Sequence, residues 1–241
     1  MKLLAMDTSN QAVSVALLED HQILGEMTVN IRQTHSQTLL PMIDQLLKQT
    51  KTTIEDIDRF VVAEGPGSYT GLRIAVTTAK SFAWTLNKSL VGISSLALLA
   101  ANVMDTTALI VPLFDARRDN VFAGIYQWQN GTLQTVVADQ HVSLEALLAQ
   151  LQLLAEPVYF VGNDVAHFNE QIQAALGSNA HFVSANHNLP HASVLGELGL
   201  MAEPVADIHG FGPVYLRKTE AEVNWAKTHD ERGADSYVEQ V

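Results

Sequence analysis

The apolar positions of this chain change period along its length, and the changes mark out its elements. Lys2–Met6 and Val13–Leu18 are short apolar runs that read as strands, joined by the polar turn Asp7-Thr8-Ser9-Asn10-Gln11. A third strand is expected from about Ile23 to Ile31, after the tight connection Glu19-Asp20-His21-Gln22, which favours an antiparallel meander. Leu39, Leu40, Ile43, Leu46 and Leu47 then recur at helical spacing and form one apolar stripe. Thr38 is the predicted N-cap of that helix, which places Pro41 in the first turn, where its missing N–H costs little. Thr52-Thr53-Ile54-Glu55 has capping-box form and predicts a helical turn before a strand at Arg59–Ala63.

The next stretch is Glu64-Gly65-Pro66-Gly67-Ser68-Tyr69-Thr70-Gly71-Leu72-Arg73, followed by a helix from Ile74 to Asn87 that holds no glycine or proline. Strand, glycine-rich turn and helix in this order set backbone N–H groups at a helix N-terminus. Such a place suits either an anion or a close approach of another backbone. No Gly-Lys-Ser/Thr follows, so it is not a P-loop, and no third glycine falls at dinucleotide spacing. Leu72, Ala75, Val76, Ala79, Phe82, Ala83 and Leu86 form one face, yet Ile74, Thr77, Thr78, Ser81 and Trp84 on other faces are also small or apolar. A helix of this kind is covered on more than one side, by another element of the chain or by a partner.

Leu90–Ile93 reads as a strand, Ser94–Met104 as a helix and Ala108–Phe114 as a strand, and there the chain repeats itself. Leu4-Ala5-Met6-Asp7 matches Pro112-Leu113-Phe114-Asp115, and Val13, Val15 and Leu17 match Val121, Ala123 and Ile125. Arg59-Phe60-Val61-Val62 has a counterpart in Tyr159-Phe160-Val161-Gly162. The long period predicts a duplicated α/β domain rather than a solenoid. Residues 1–105 form the first half and 106–218 a second, smaller half, with helices at Ser143–Leu154, Val165–Leu176 and Ala192–Met201 and a late strand at Val214–Leu216. The polar tail 219–241 is expected to be poorly ordered.

Composition narrows the chemistry. The 241 residues contain no cysteine, which excludes disulfides, thiolate metal sites and cysteine nucleophiles. The net charge of −12, with only 14 scattered Lys and Arg, argues against independent nucleic-acid binding. No apolar run approaches a membrane span, and Asp7 interrupts the only early one, so a soluble cytoplasmic protein is expected.

The strings Met6-Asp7-Thr8-Ser9, Thr34-His35-Ser36-Gln37 with Leu39-Leu40-Pro41, and Gly65 to Arg73 with Ala79-Lys80 occur in that order. Together with Leu113-Phe114-Asp115-Ala116-Arg117-Arg118 they closely resemble the TsaB (YeaZ) family, bacterial partner proteins in the synthesis of threonylcarbamoyladenosine on tRNA. The resemblance covers nearly the whole chain except the tail. It implies a duplicated actin/hexokinase-like (ribonuclease H-like) α/β fold with a reduced second half. It also implies a non-catalytic role: pairing with the catalytic subunit TsaD, alongside the ATPase TsaE, homodimerisation when alone, and contact with tRNA only through the complex. The implied interface takes in His35, Leu39, Leu40, Ile43, Leu46 and Leu47 on one helix. On the other it takes in Tyr69, Arg73, Ile74, Thr77, Lys80, Ser81 and Trp84.

Other chemistries fit the residues less well. Asp7, Thr8 and Asp115 stand where nucleotide users of such a fold hold metal and phosphate, but neither Asp turn contains the glycine needed for close approach. An Asp capping its own turn is the simpler reading, and an ATP-dependent phosphotransferase or hydrolase is the alternative. His35 has Leu39 one turn on, so no helical His pair forms; His187 and His191 have the spacing but enclose Pro190. No metal or cofactor is expected. Ser68 lacks the flanking glycines of a nucleophile elbow, and Ser68 or Thr70 is expected to cap the following helix. Arg73 and Lys80 share a helix face and suit either an acidic partner or solvent.

Overall fold

A computed structural model describes residues 1–31, 34–104 and 106–217; the predicted tail 219–241 lies outside the described residues. The first sheet contains β1 (Lys2–Asp7), β2 (Val13–Glu19), β3 (Gln22–Val29), β4 (Arg59–Gly65) and β5 (Ser89–Ser94) in the order β3-β2-β1-β4-β5. The second contains β6 (Leu109–Asp115), β7 (Asn120–Gln129), β8 (Thr132–Ser143), β9 (Val158–Val161) and β10 (Ala180–Phe182) in the order β8-β7-β6-β9-β10. In each sheet the first three strands are an antiparallel meander and the last two add in parallel. The duplication read from the Asp-ended strands is therefore present, and the fold is the duplicated actin/hexokinase-like α/β plan.

Strand alternation sends successive side chains of the first sheet to opposite faces, and both faces are covered. Leu4, Met6, Val15, Leu17, Phe60 and Val62 meet α1 (His35–Gln49) and α2 (Tyr69–Leu86) on one side. Leu3, Ala5, Ala16, Leu18, Val61 and Ala63 meet α3 (Ser95–Ala101) and α6 (Ala192–Met201) on the other. α4 (Leu144–Leu154) and α5 (Val165–Leu176) cover the second sheet through Leu147, Leu151, Phe168 and Ile172. α3 also packs Leu96, Leu99 and Ala100 against Ile110, Phe114 and Tyr126, so it joins the two sheets.

Several elements differ from expectation. α1 begins at His35, with Thr34 in the cap position, because the Thr38 hydroxyl turns back to the Thr34 carbonyl at 3.2 Å and continues the helix. Pro41 consequently lies inside the helix, on its exposed side. The capping box forms one residue late: Thr53 caps a single turn at Ile54–Asp56, and the Asp56 carboxylate accepts the Thr53 N–H at 2.8 Å. α3 stops at Ala101 rather than Met104. α6, expected to belong to the second half, instead closes the first sheet, because its apolar residues complete the face that α3 leaves open. Val214–Leu216 forms no strand; the Val214 N–H donates to the Glu64 carbonyl at 2.7 Å.

Candidate functional site

Residues 65–71 are built around the turn that follows β1. The Ser68 N–H donates to the Ser9 carbonyl at 2.6 Å, and the Thr8 hydroxyl donates to the Gly71 carbonyl at 2.6 Å. A Cβ on Gly71 would stand 2.0 Å from the Thr8 carbonyl oxygen, and one on Gly67 would stand 2.2 Å from that of Ser9. The glycines thus admit the chain's own backbone. Ser68 caps α2, its Oγ accepting the Gly71 N–H at 3.3 Å, as the capping reading expected. Of the two roles open to this turn, close backbone approach is the one realised.

Asp7 is fully buried at the end of β1 and accepts the Ser9 N–H at 2.7 Å. Burial pushes its carboxyl up to about 6, against the opposing pull of the Ser9 N–H and hydroxyl and of His35. Its other oxygen, Oδ2, has no hydrogen-bond partner, and the Ser9 hydroxyl, though close enough to influence the carboxyl, is also unpartnered. Asp115 repeats the arrangement in the open: it accepts the Arg117 N–H at 2.7 Å, while its own N–H donates to Asp164 Oδ2 at 2.9 Å. Both aspartates cap their own turns, the simpler of the two roles weighed for them.

Between the halves lies a cleft of about 870 Å³. Ser9, Asn10 and the turn 67–70 form one wall, and Asp115 to Arg118, Phe122 and Asp164 form the other. Residues 214–217 run along it, and the Arg217 guanidinium donates to the Ala116 carbonyl at 2.8 Å across the gap. Gly65 sits against this segment, since a Cβ there would lie 2.3 Å from the Val214 carbonyl oxygen.

The two helices expected to form an interface divide into a buried and an exposed set. Leu39, Ile43, Leu46 and Leu47 belong to the chain's own core; Ile43 is 3% exposed. They cannot present themselves to a partner, because the first sheet already covers the apolar stripe. Exposed instead are Leu40 on α1, at 50%, and Tyr69, Arg73, Thr77, Ser81 and Trp84 on α2, with Trp84 at 58%. His35, Ile74 and Lys80 are half-buried; His35 Nε2 meets the Gln11 carbonyl at 3.3 Å. Arg73 bonds the Tyr69 hydroxyl at 2.8 Å and lies over its ring.

Residues 203–217 supply a cover for α2 that the sequence reading missed. Val205, Ile208 and Phe211 pack on the core, and Lys80 Nζ donates to the carbonyls of His209 at 2.5 Å and Phe211 at 3.0 Å. Trp84 meets His209 edge-on, and Tyr69 stacks on Tyr215. The available signal was the three-residue spacing of Val205, Ile208, Phe211 and Val214 among mostly small residues. Equally unforeseen is a link between the halves: Ser94 and Tyr126 hydroxyls both donate to Asp139, whose carboxyl is raised by burial. Among the described residues no three His, Asp or Glu side chains gather as a metal site, and no helix is long and apolar enough to cross a membrane.

Fold and site together define a two-halved actin/hexokinase-like protein whose glycine turn is filled from within. Comparison with known proteins narrows this. The chain is 41% identical over 95% of its length, and 99% of the relative's, to the tRNA threonylcarbamoyladenosine biosynthesis protein TsaB of Bacillus subtilis. It is 28% identical over 94% of its length, and 97% of the relative's, to the protein so named in Haemophilus influenzae. Residues 22–225 match the family described as TsaD, tRNA N6-adenosine threonylcarbamoyltransferase. YeaZ from Pseudomonas aeruginosa superposes with a TM-score of 0.73 at 27% identity, covering 89% of this chain and 99% of that one. A structure described as an uncharacterized protein with similarity to peptidase YeaZ, from the same species, gives 0.75 at 29% identity, covering 90% and 99%. The chain belongs to the TsaB family.

Proposed function

We propose that this protein is a non-catalytic partner in tRNA threonylcarbamoyladenosine synthesis, pairing with TsaD through the exposed faces of α1 and α2. The observation that carries the reading is the stripe of Arg73, Thr77, Ser81 and Trp84, beside Leu40, on two helices whose buried sides the chain already covers. Small residues flanking an exposed Trp and Leu suit close helix-on-helix contact. The same face serves a homodimer when the partner is absent, TsaE joins the assembled pair, and tRNA is met through the complex. An ATP-dependent phosphotransferase is the weaker reading, because the Ser68 and Gly71 amides that would face a phosphate are bonded to the chain's own oxygens. The two halves act as one scaffold, in the cytoplasm.

Light scattering after gel filtration, on the chain alone and mixed with TsaD of the same organism, tests this. A 1:1 species is expected, formed at the expense of any homodimer. Leu40→Glu and Thr77→Arg, both exposed, should abolish it while leaving the monomer's thermal stability unchanged. Undiminished association in both variants would reject the surface, and no association of the parent chain would reject the role.

A further inference from the structure

After α6 the chain runs from Ala202 to Arg217 without a helix or strand. Irregular stretches of that length are uncommon inside a compact fold and usually serve binding. The inward side of this one is accounted for. Val205, Ile208 and Phe211 pack on the core, the Val205 N–H donates to the Leu90 carbonyl at 2.8 Å, and Lys80 holds the carbonyls of His209 and Phe211. The outward side is not needed for any of this. It carries two exposed rings, His209 and Tyr215, and each meets an exposed ring of α2. His209 lies 4.1 Å from Trp84 between ring centroids, and Tyr215 lies 4.7 Å from Tyr69. The segment therefore forms a strap that runs antiparallel along the helix.

The strap borders the face of α2 read above as the partner surface. At 1.5 Å and 3.6 residues per turn, Tyr69 and Trp84 stand about 22 Å apart along the axis and about 60° apart around it. Lys80 and Arg73 fall inside that arc, and Thr77 and Ser81 follow at about 80° and about 120° from Tyr69. Of the four Phe, Tyr and Trp side chains that are exposed among the described residues, Tyr69, Trp84 and Tyr215 lie here, at 42%, 58% and 40%. Exposed aromatic surface is thus concentrated on one flank of one helix. Arg73 lies over Tyr69 and bonds its hydroxyl with one N–H of a group that has five. Tyr, Trp and Arg beside small residues are the composition of a binding hot spot.

We propose that TsaD grips this protein on two elements at once, α2 and the strap 203–217, with the Tyr69–Tyr215 and Trp84–His209 pairs anchoring the two ends of the contact. This rests on the pairing proposed above and adds the strap to it. The kind of partner follows from the family match. Residues 22–225, which span α1, α2 and the strap, match the family described as TsaD, so a partner of that family is a relative of this chain. Related chains bring like faces together as the copies of a twofold dimer do. Thr77 and Ser81 let the backbones approach, the paired rings supply flat area to bury, and the remaining Arg73 donors take an acceptor of the partner.

Calorimetric titration of the full chain with TsaD of the same organism tests the proposal. Tyr215→Ala and His209→Ala should each weaken association about tenfold or more, with little change in the monomer's melting temperature because both rings are exposed. Tyr215→Phe keeps the ring and should bind like the parent. Leu153→Ala, exposed on α4 of the second half, should also leave affinity unchanged. Hydrogen exchange within 205–217 of the parent should slow when TsaD is added. If Tyr215→Ala and His209→Ala both bind within about twofold of the parent while Leu40→Glu and Thr77→Arg abolish the complex, the strap is not in the contact and the pairing stands. Unchanged exchange within 205–217 in the complex has the same meaning. If the parent chain does not bind TsaD, the pairing and this inference fall together.

Discussion

Replacing Asp7 by Asn should stabilise the protein, and only above a defined pH. Asp7 lies wholly inside the chain, and burial raises its carboxyl from 3.8 to about 6. A carboxyl raised in the folded state holds its proton more tightly there than in the unfolded chain. The folded state is therefore favoured most below about pH 4, loses that advantage as pH rises from about 4 to 6, and above this carries the full cost of an interior charge. A shift of about two pH units corresponds to about 3 kcal/mol. Asn keeps an oxygen for the Ser9 N–H and directs its amide toward the Ser9 hydroxyl, which has no partner. The two proteins should thus unfold alike near pH 4, and the variant should gain about 3 kcal/mol by pH 7. In a chain of this size that is roughly 6–12 °C in melting temperature. The assay is urea and thermal unfolding of both proteins from pH 4 to 8. The difference between them is the readout, since every other carboxylate titrates in both. Parallel curves across that range would refute the reasoning, as would a carboxyl resonance of Asp7 that titrates near 4.

Three other substitutions probe the packing. Ile43→Glu places a charge in the core of the first half and should destabilise by about 4 kcal/mol or more in urea unfolding; a well-folded monomer that merely fails to associate would contradict the burial. Gly71→Ala would ordinarily favour a helix by roughly 1 kcal/mol, but its Cβ meets the Thr8 carbonyl oxygen at 2.0 Å. A net loss of about 1–3 kcal/mol is expected, and a rise in melting temperature would show that the β1 turn can move aside. Lys80→Ala removes the donor to the His209 and Phe211 carbonyls, so hydrogen exchange and proteolysis should quicken within 205–214 before the sheets respond. Unchanged exchange there would mean that Val205, Ile208 and Phe211 alone hold the segment.

The local order of this chain was legible because it follows from periodicity and backbone restriction. The meander of β1 to β3, the helix after the glycine turn and the repeat of an Asp-ended strand at Asp115 all appear in the linear pattern, and Ser68 caps α2 as its position suggested. The three glycines at 65, 67 and 71 suited either an anion or a close backbone approach; Ser9 and Thr8, some sixty positions earlier, meet Gly67 and Gly71, and Val214 meets Gly65. The same limit applied to the helix faces. Leu39 and Ile43 have the pattern of a stripe that must be covered, and a stripe covered by a sheet is identical in sequence to one covered by a partner.

What the sequence determined by itself was most of the elements, their duplication and the family. Each depends on neighbouring residues or on whole strings of them. The strand Ala180–Phe182 was not read from it, and the strand expected at Val214–Leu216 did not form. Tertiary structure alone decided that α6 closes the first sheet, that residues 203–217 cross α2 into the cleft, and that Ser94, Tyr126 and Asp139 meet between the halves. Those contacts join groups far apart in the chain through burial and hydrogen bonding. Such interactions reward whichever surfaces the folded chain brings together and leave no periodic trace along it.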